Sequence, residues 1–252
     1  MTDLREDAFL GGRLAIAQPA RGYRAGADAV MLAAACPARA GESVLELGCG
    51  AGVALLCLGA RVPGLRLVGL ELQQDYAALA RRNAAANGIE SMILQGDLAR
   101  MPAELRQMGF DHVIANPPYF TAGTPAPDAG RERARHELTP LADWLEAGLR
   151  RLRPGGRLTL IQRADRLAVI LSALQDRAGA LTILPVAARA GREAGRVLVT
   201  ARKGGRAPLR LLSPFVMHEK PSHSGDAEDL TAAAQAVLRA AAPLTPITGD
   251  LR

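Results

Sequence analysis

Four short apolar runs, SVLEL (43–47), LRLVGLE (65–71), SMILQ (91–95) and FDHVIA (110–115), alternate with stretches of helical composition. No other feature constrains the fold as tightly. Strands joined by long crossovers return parallel to one another, and a parallel sheet must be covered on both faces. The first two crossovers are VALLCLGARV (53–62) and QQDYAALARRNAAANG (73–88), the latter stopped by Gly88. A short helical piece near 102–108 precedes the fourth strand. Further on, a helix over 140–152 ends at Pro154–Gly155–Gly156, and RLTLIQ (157–162) reads as a fifth strand. A helix near 164–177 is followed by LTILPVA (181–187) and RVLVTAR (196–202), with only ARAGREAG between them. These two are expected to form an antiparallel hairpin at one edge. The prediction is an α/β chain: a doubly wound, mostly parallel sheet of about seven strands with that edge hairpin.

The organisation expected around this series has three parts. Residues 1–40 form an N-terminal arm with an alanine-rich helix at 27–36, ended by Pro37; residues 41–203 form the core; residues 204–252, with a helical stretch at 226–241, form an extension packed on it. Hydrophobic content of 49% with 22% charged residues excludes global disorder. No apolar run reaches the roughly 18 residues a membrane span needs. The start, MTDLREDAFLGG, lacks the basic and apolar regions of a signal peptide. Cys36, Cys49 and Cys57 have no metal-ligand spacing and read as reduced thiols, so a cytoplasmic protein without membrane or metal partners is expected. The net charge of +6 would draw in phosphate backbones. It is nearly all arginine, with Lys203 and Lys220 the only lysines, a bias that a GC-rich coding sequence also produces. Charge alone therefore leaves nucleic acid open.

Three places at the strand ends carry chemistry. ELGCGAG (46–52) joins the first strand to the first crossover helix, and Gly48, Gly50 and Gly52 let a ligand lie against bare main chain. Glu46 opens this turn and is grouped with its glycines as a ligand contact. The helix start that follows offers free amide groups to a carboxylate or phosphate. A dinucleotide fingerprint would place its third glycine at 53, where Val53 stands. Glu71 ends the second strand, where an acid can accept bonds from both hydroxyls of a ribose. Asp97 follows the third, where a carboxylate can take an adenine amino group; a helix cap is the alternative for Asp97, and a solvated strand end for Glu71.

The fourth strand runs into Asn116, Pro117, Pro118, Tyr119 and Phe120, two of the chain's few aromatics side by side. An Asn-Pro turn merely stiffening a loop is one explanation. The other is chemical. An exocyclic amine is a poor nucleophile because its lone pair is delocalised, and accepting hydrogen bonds from both its N–H groups frees that pair. Asn116 offers a side-chain carbonyl, and Pro117 a backbone carbonyl at a restrained angle. Tyr119 can stack on a flat substrate, worth about 1–3 kcal/mol per base in single-strand binding.

VLELGCGAG, Glu71, Gly96–Asp97 and NPPY together resemble the class I S-adenosylmethionine-dependent methyltransferases. The resemblance, strongest over residues 43–162, implies a Rossmann-like fold and S-adenosyl-L-methionine as cofactor. It implies that the glycine loop wraps the methionine part, Glu71 grips the ribose, Asp97 reads the adenine, and Asn116 sits between donor and acceptor. QPARGYRAGADAVMLAA (18–34), with Tyr23, Arg24 and Asp28, is similar to the corresponding segment of the tRNA(Val)-directed adenine-N6 methyltransferases, as are NPPYF, RERARHE and SPFVMHE. The departures are Ala25–Gly26, where that group tends to have an aromatic and a small polar residue, and SHSGDAEDL, which lacks an expected tyrosine. The resemblance implies methylation of an adenine N6 in RNA, most naturally tRNA, with Tyr23, Arg24, Phe120, Arg131, Arg133 and Arg135 as substrate contacts. A protein glutamine-amide methyltransferase and a non-catalytic RNA-binding module remain as alternatives. The first usually carries a long helical domain ahead of such a core, where about forty residues stand here. His136, Cys49 and Trp144 are read as a loop histidine, a buried filler and a helix packing residue.

Overall fold

The apolar runs become strands in the computed structural model, which describes residues 3–119, 139–220 and 229–248. An N-terminal hairpin comes first, β1 (Leu4–Phe9) and β2 (Leu14–Pro19), followed by helix α1 (Ala27–Ala35). The central series is β3 (Ser43–Leu47), α2 (Val53–Arg61), β4 (Arg66–Glu71), α3 (Gln74–Ala86), β5 (Ser91–Gln95), α4 (Ala103–Gln107) and β6 (Phe110–Ala115). Then come α5 (Leu141–Arg151), β7 (Leu152–Arg163), α6 (Leu167–Leu174), β8 (Ala178–Arg189) and β9 (Ala194–Lys203). The chain continues through β10 (Arg210–Leu211), β11 (Phe215–His218), α7 (Ala232–Ala240) and α8 (Thr245–Thr248).

The sheet runs in the order β10-β8-β9-β7-β6-β3-β4-β5, with β11 also paired to β8. Strands β3 to β7 are mutually parallel, and β9 runs antiparallel between β7 and β8. The fold class is the one expected, with two differences. Among the described residues this sheet has nine strands, because β10 and β11 extend it along the far side of β8. The β8–β9 hairpin is consequently covered and is not the edge. Two- and four-residue strands with charged neighbours carry too little periodic signal to be read from sequence.

Alternation along the strands builds two cores. Val44, Ile114 and Ile161 point to one face and pack with α1, α2 and α7; Leu45, Val113 and Leu160 point to the other and meet Trp144 and Leu145 of α5. β3 is buried along its whole length, as a central parallel strand should be, whereas β5 at the margin is only partly covered.

The N-terminal hairpin is held from outside. Asn83 on α3 and Asn87 just past its end, one helical turn on, grip β2 as a neighbouring strand would. Asn83 accepts from the Ala17 N–H and donates to the Ala17 carbonyl, at 3.0 and 2.9 Å. Asn87 does the same at Ala15. Asn83 also donates to the carbonyl of Ala51, so one buried amide ties the arm to the glycine turn. The extension is tied as firmly: Asp229 accepts from Arg189 at 2.9 Å and pairs with His218 at 2.7 Å, and Thr231 caps α7.

Candidate active site

From β3 the chain steps outward to β4 and β5, then returns to β6 on the other side of β3. At such a reversal the loops leaving two adjacent strands diverge to opposite faces, opening a crevice at their carboxyl ends. The candidate cleft lies there. Glu46, Gly48 and Gly50 line one wall and Asn116, Pro117 and Tyr119 the other. A wider groove beside α5 is lined by Arg100, Arg106, Arg150 and Arg151 with Asp143 and Glu146. It reaches neither the glycine turn nor the proline corner, so the narrower cleft is the candidate site.

The glycine turn is fixed by its two acids. All three glycines have positive φ, +66° at Gly48, +54° at Gly50 and +88° at Gly52, a region that side chains rarely adopt. A methyl group on Gly48 would come within 2.5 Å of the Trp144 ring, which packs against the bare turn. Glu71 is buried, and its two oxygens accept from the N–H groups of Gly50 (2.9 Å) and Gln73 (2.8 Å). Each carboxylate oxygen can accept a second bond. Glu46 is also buried and accepts from the Leu55 N–H in the first turn of α2 at 2.8 Å. Burial pushes its carboxyl well above the usual range, against the pull of that hydrogen bond. The helix start that looked free in sequence is thus partly taken by a carboxylate of the chain itself.

Asp97 caps the 3-10 turn at Leu98–Arg100 through the Ala99 N–H, and it opens onto a small recess shared with Gly48 and Trp144. Tyr23 lies across the cleft mouth, 56% exposed, with its ring edge 4.0 Å from the position a side chain on Gly50 would take. Arg24 is not in the cleft: it pairs with Asp7 at 2.5 Å. Phe120, Arg131, Arg133, Arg135 and His136 lie outside the described residues.

At the proline corner Pro117 is buried, and its carbonyl accepts from the Gln162 side chain at 3.3 Å. Gln162 is itself buried and accepts from the Arg163 N–H. The Tyr119 hydroxyl is 2.9 Å from the Asn116 side-chain oxygen and 2.6 Å from Asp28. Arg196 pairs with Asp28 at 3.0 Å, and its guanidinium lies 4.5 Å from the centre of the Tyr119 ring. Sequence reasoning missed Gln162 and Arg196. Both are polar residues in apolar strands, which is the one signal that could have flagged them. It also took Trp144 as packing alone; the residue does pack, but its ring lines the cleft too.

A glycine turn facing an amide-and-proline corner across the switch point of a doubly wound sheet defines a methyltransferase of Rossmann-like architecture. The chain belongs to the methyltransferase small domain family, whose model matches residues 26–184. It is similar to the tRNA1(Val) (adenine(37)-N6)-methyltransferase of Porphyromonas gingivalis, 36% identical over 64% of this chain and 67% of that one. The protein of the same name from Dickeya chrysanthemi is 30% identical over 83% and 85% of the two chains. Among solved structures, a predicted O-methyltransferase from Agrobacterium tumefaciens matches 83% of this chain and 94% of its own, at 30% identity and a TM-score of 0.68.

Proposed function

We propose that this protein transfers a methyl group from S-adenosyl-L-methionine to the exocyclic N6 of an adenine in RNA, with tRNA as the substrate. The observation that carries this reading is the shared cleft, with the Glu46–Gly50 turn on one wall and the Asn116–Tyr119 corner on the other. The relatives named as tRNA adenine-N6 methyltransferases support it. They favour an adenine over a glutamine amide as acceptor, and a catalyst over a passive RNA-binding module.

The lining fits the methyl donor. Gly48, Gly50 and Gly52 present main chain without side chains, and Glu71 stands at the end of β4, where a ribose diol would meet it. Asp97 would serve the adenine ring from the adjoining recess. Bound there, S-adenosylmethionine supplies an electrophilic methyl on a sulfonium that departs as a neutral thioether. Asn116 and the Pro117 carbonyl accept the two N–H groups of the target amine, drawing it towards a tetrahedral shape with its lone pair exposed. Gln162 holds the Pro117 carbonyl in place, and that oxygen keeps a second lone pair for the substrate. No general base is required at the transition state, since the amine loses its proton afterwards; orientation dominates. The target adenine must leave its stack to enter. The setting is the cytoplasm, in keeping with three free, buried cysteines. Among the described residues, no helix is long and apolar enough to cross a membrane.

The test is methyl transfer from labelled donor to an unmodified tRNA transcript, followed by nucleoside mass spectrometry. N6-methyladenosine is expected. Label appearing only in protein, or none at all with donor bound, overturns the reading.

A further inference from the structure

We propose that Asp28 and Arg196 are positioning residues for methyl transfer, acting through Tyr119 to fix which end of the Asn116 amide faces the substrate. The inference rests on the adenine-amine reading and names the machinery behind Asn116.

The argument begins with a proton count. The Tyr119 hydroxyl has two neighbouring oxygens, Asp28 at 2.6 Å and Asn116 at 2.9 Å, but one hydrogen to give. At 2.6 Å from a carboxylate, that hydrogen belongs on the line to Asp28, where the bond is charge-assisted. Burial and the adjacent Asp28 charge also push the phenol above its ordinary range, so it keeps its proton. Two oxygens would then face each other at 2.9 Å with no hydrogen between them. Carbonyl and amino ends of an asparagine are assigned by their partners. Turning the Asn116 amide over resolves the conflict: Nδ2 donates to the Tyr119 oxygen, and Oδ1 is released as an acceptor on the opposite side. That is the orientation an amine N–H requires. Were Asp28 absent, the phenol would donate to Oδ1 and hold it on the Tyr119 side, turned away from the substrate.

Arg196 completes the device from the far end of the chain. It lies on β9, 168 positions from Asp28, and its pairing holds the carboxylate at the phenol. The guanidinium also covers one face of the Tyr119 ring. Neither residue lines the cleft wall, so both act through Tyr119 and Asn116.

A double-mutant cycle tests this with Asp28→Ala, Arg196→Gln and Tyr119→Phe, assayed on the tRNA transcript in single turnover. Asp28→Ala is expected to lower the rate about tenfold, with affinity for the donor within about twofold of wild type. In the Tyr119→Phe background, where no phenol proton needs placing, Asp28→Ala and Arg196→Gln should add no further loss. Multiplying losses in that background would overturn the proposal, because a role in folding or in binding RNA does not depend on the hydroxyl. An unchanged rate in Asp28→Ala would overturn it equally. Wild-type enzyme that methylates no adenine is a separate outcome and counts against the substrate instead.

Discussion

Strand β6 begins in a knot and ends in a cleft, and its two ends use similar side chains to opposite effect. At the start, Asp111 accepts from the Ser43 N–H at 2.8 Å, the Ser43 hydroxyl at 2.7 Å and Arg153 at 2.8 Å. Burial pushes the Asp111 carboxyl up, but these hydrogen bonds and the Arg153 charge outweigh it and hold the group at about 2. Its partners come from the neighbouring strand β3 and from β7, so this carboxylate is spent on groups of the chain itself. At the finish, five residues on, Asn116 and Pro117 border open space, and across it Glu46 and Glu71 accept from the backbone N–H groups of Leu55, Gly50 and Gln73. The contrast comes from topology. Adjacent parallel strands stay together at their amino ends, whereas the loops after β3 and β6 diverge because the strand order reverses between them.

That contrast can be broken at several points. Asn116→Ala should have the largest effect, a loss of about 100- to 1,000-fold in single-turnover rate with donor affinity unchanged. Retained turnover would mean that the finish of β6 is not where the acceptor is held. Glu71→Ala comes next. It removes a buried acceptor from the Gly50 amide, so calorimetry should show donor binding weakened by about 10- to 100-fold. Unchanged affinity would contradict the ribose assignment.

At the other end, Asp111→Asn should spare the rate per folded molecule and cost about 1 kcal/mol of stability, discounting for solvent screening. Its acid dependence has a definite sign. The folded carboxyl is depressed below its ordinary value of 3.8, so its stabilisation is complete above that value and is lost as pH falls towards about 2. Denaturant melts of wild type and variant should therefore converge over that window; a constant gap would mean that the charge is not what Asp111 contributes. Arg24→Ala should do least. With its guanidinium committed to Asp7, donor affinity and RNA KM should stay as they were, and a several-fold rise in the RNA KM would return Arg24 to the substrate surface.

Legibility followed the range of the interactions. The central strands and helices could be read because burial on both faces leaves near-continuous apolar runs, and because Gly88 and Pro37 mark ends chemically. The glycine turn, Glu71 and the proline corner were legible as strand ends. The N-terminal hairpin was not: LREDAF has no clean alternation, and β2 is held by amides on α3 and at its C-terminal cap that lie 66 and 72 positions away. Strands β10 and β11 were missed for a related reason, being too short to show a period and existing only because β8 offers an edge.

The sequence by itself determined the alternating α/β architecture and the residues at the carboxyl ends of the strands, because side-chain period and backbone-permissive glycines are local properties of the chain. The tertiary structure decided which of those residues meet. Arg196 reaches Asp28, Gln162 reaches Pro117, and Arg24 turns away to Asp7, because hydrogen-bond partners are chosen by distance in space once the sheet order is set.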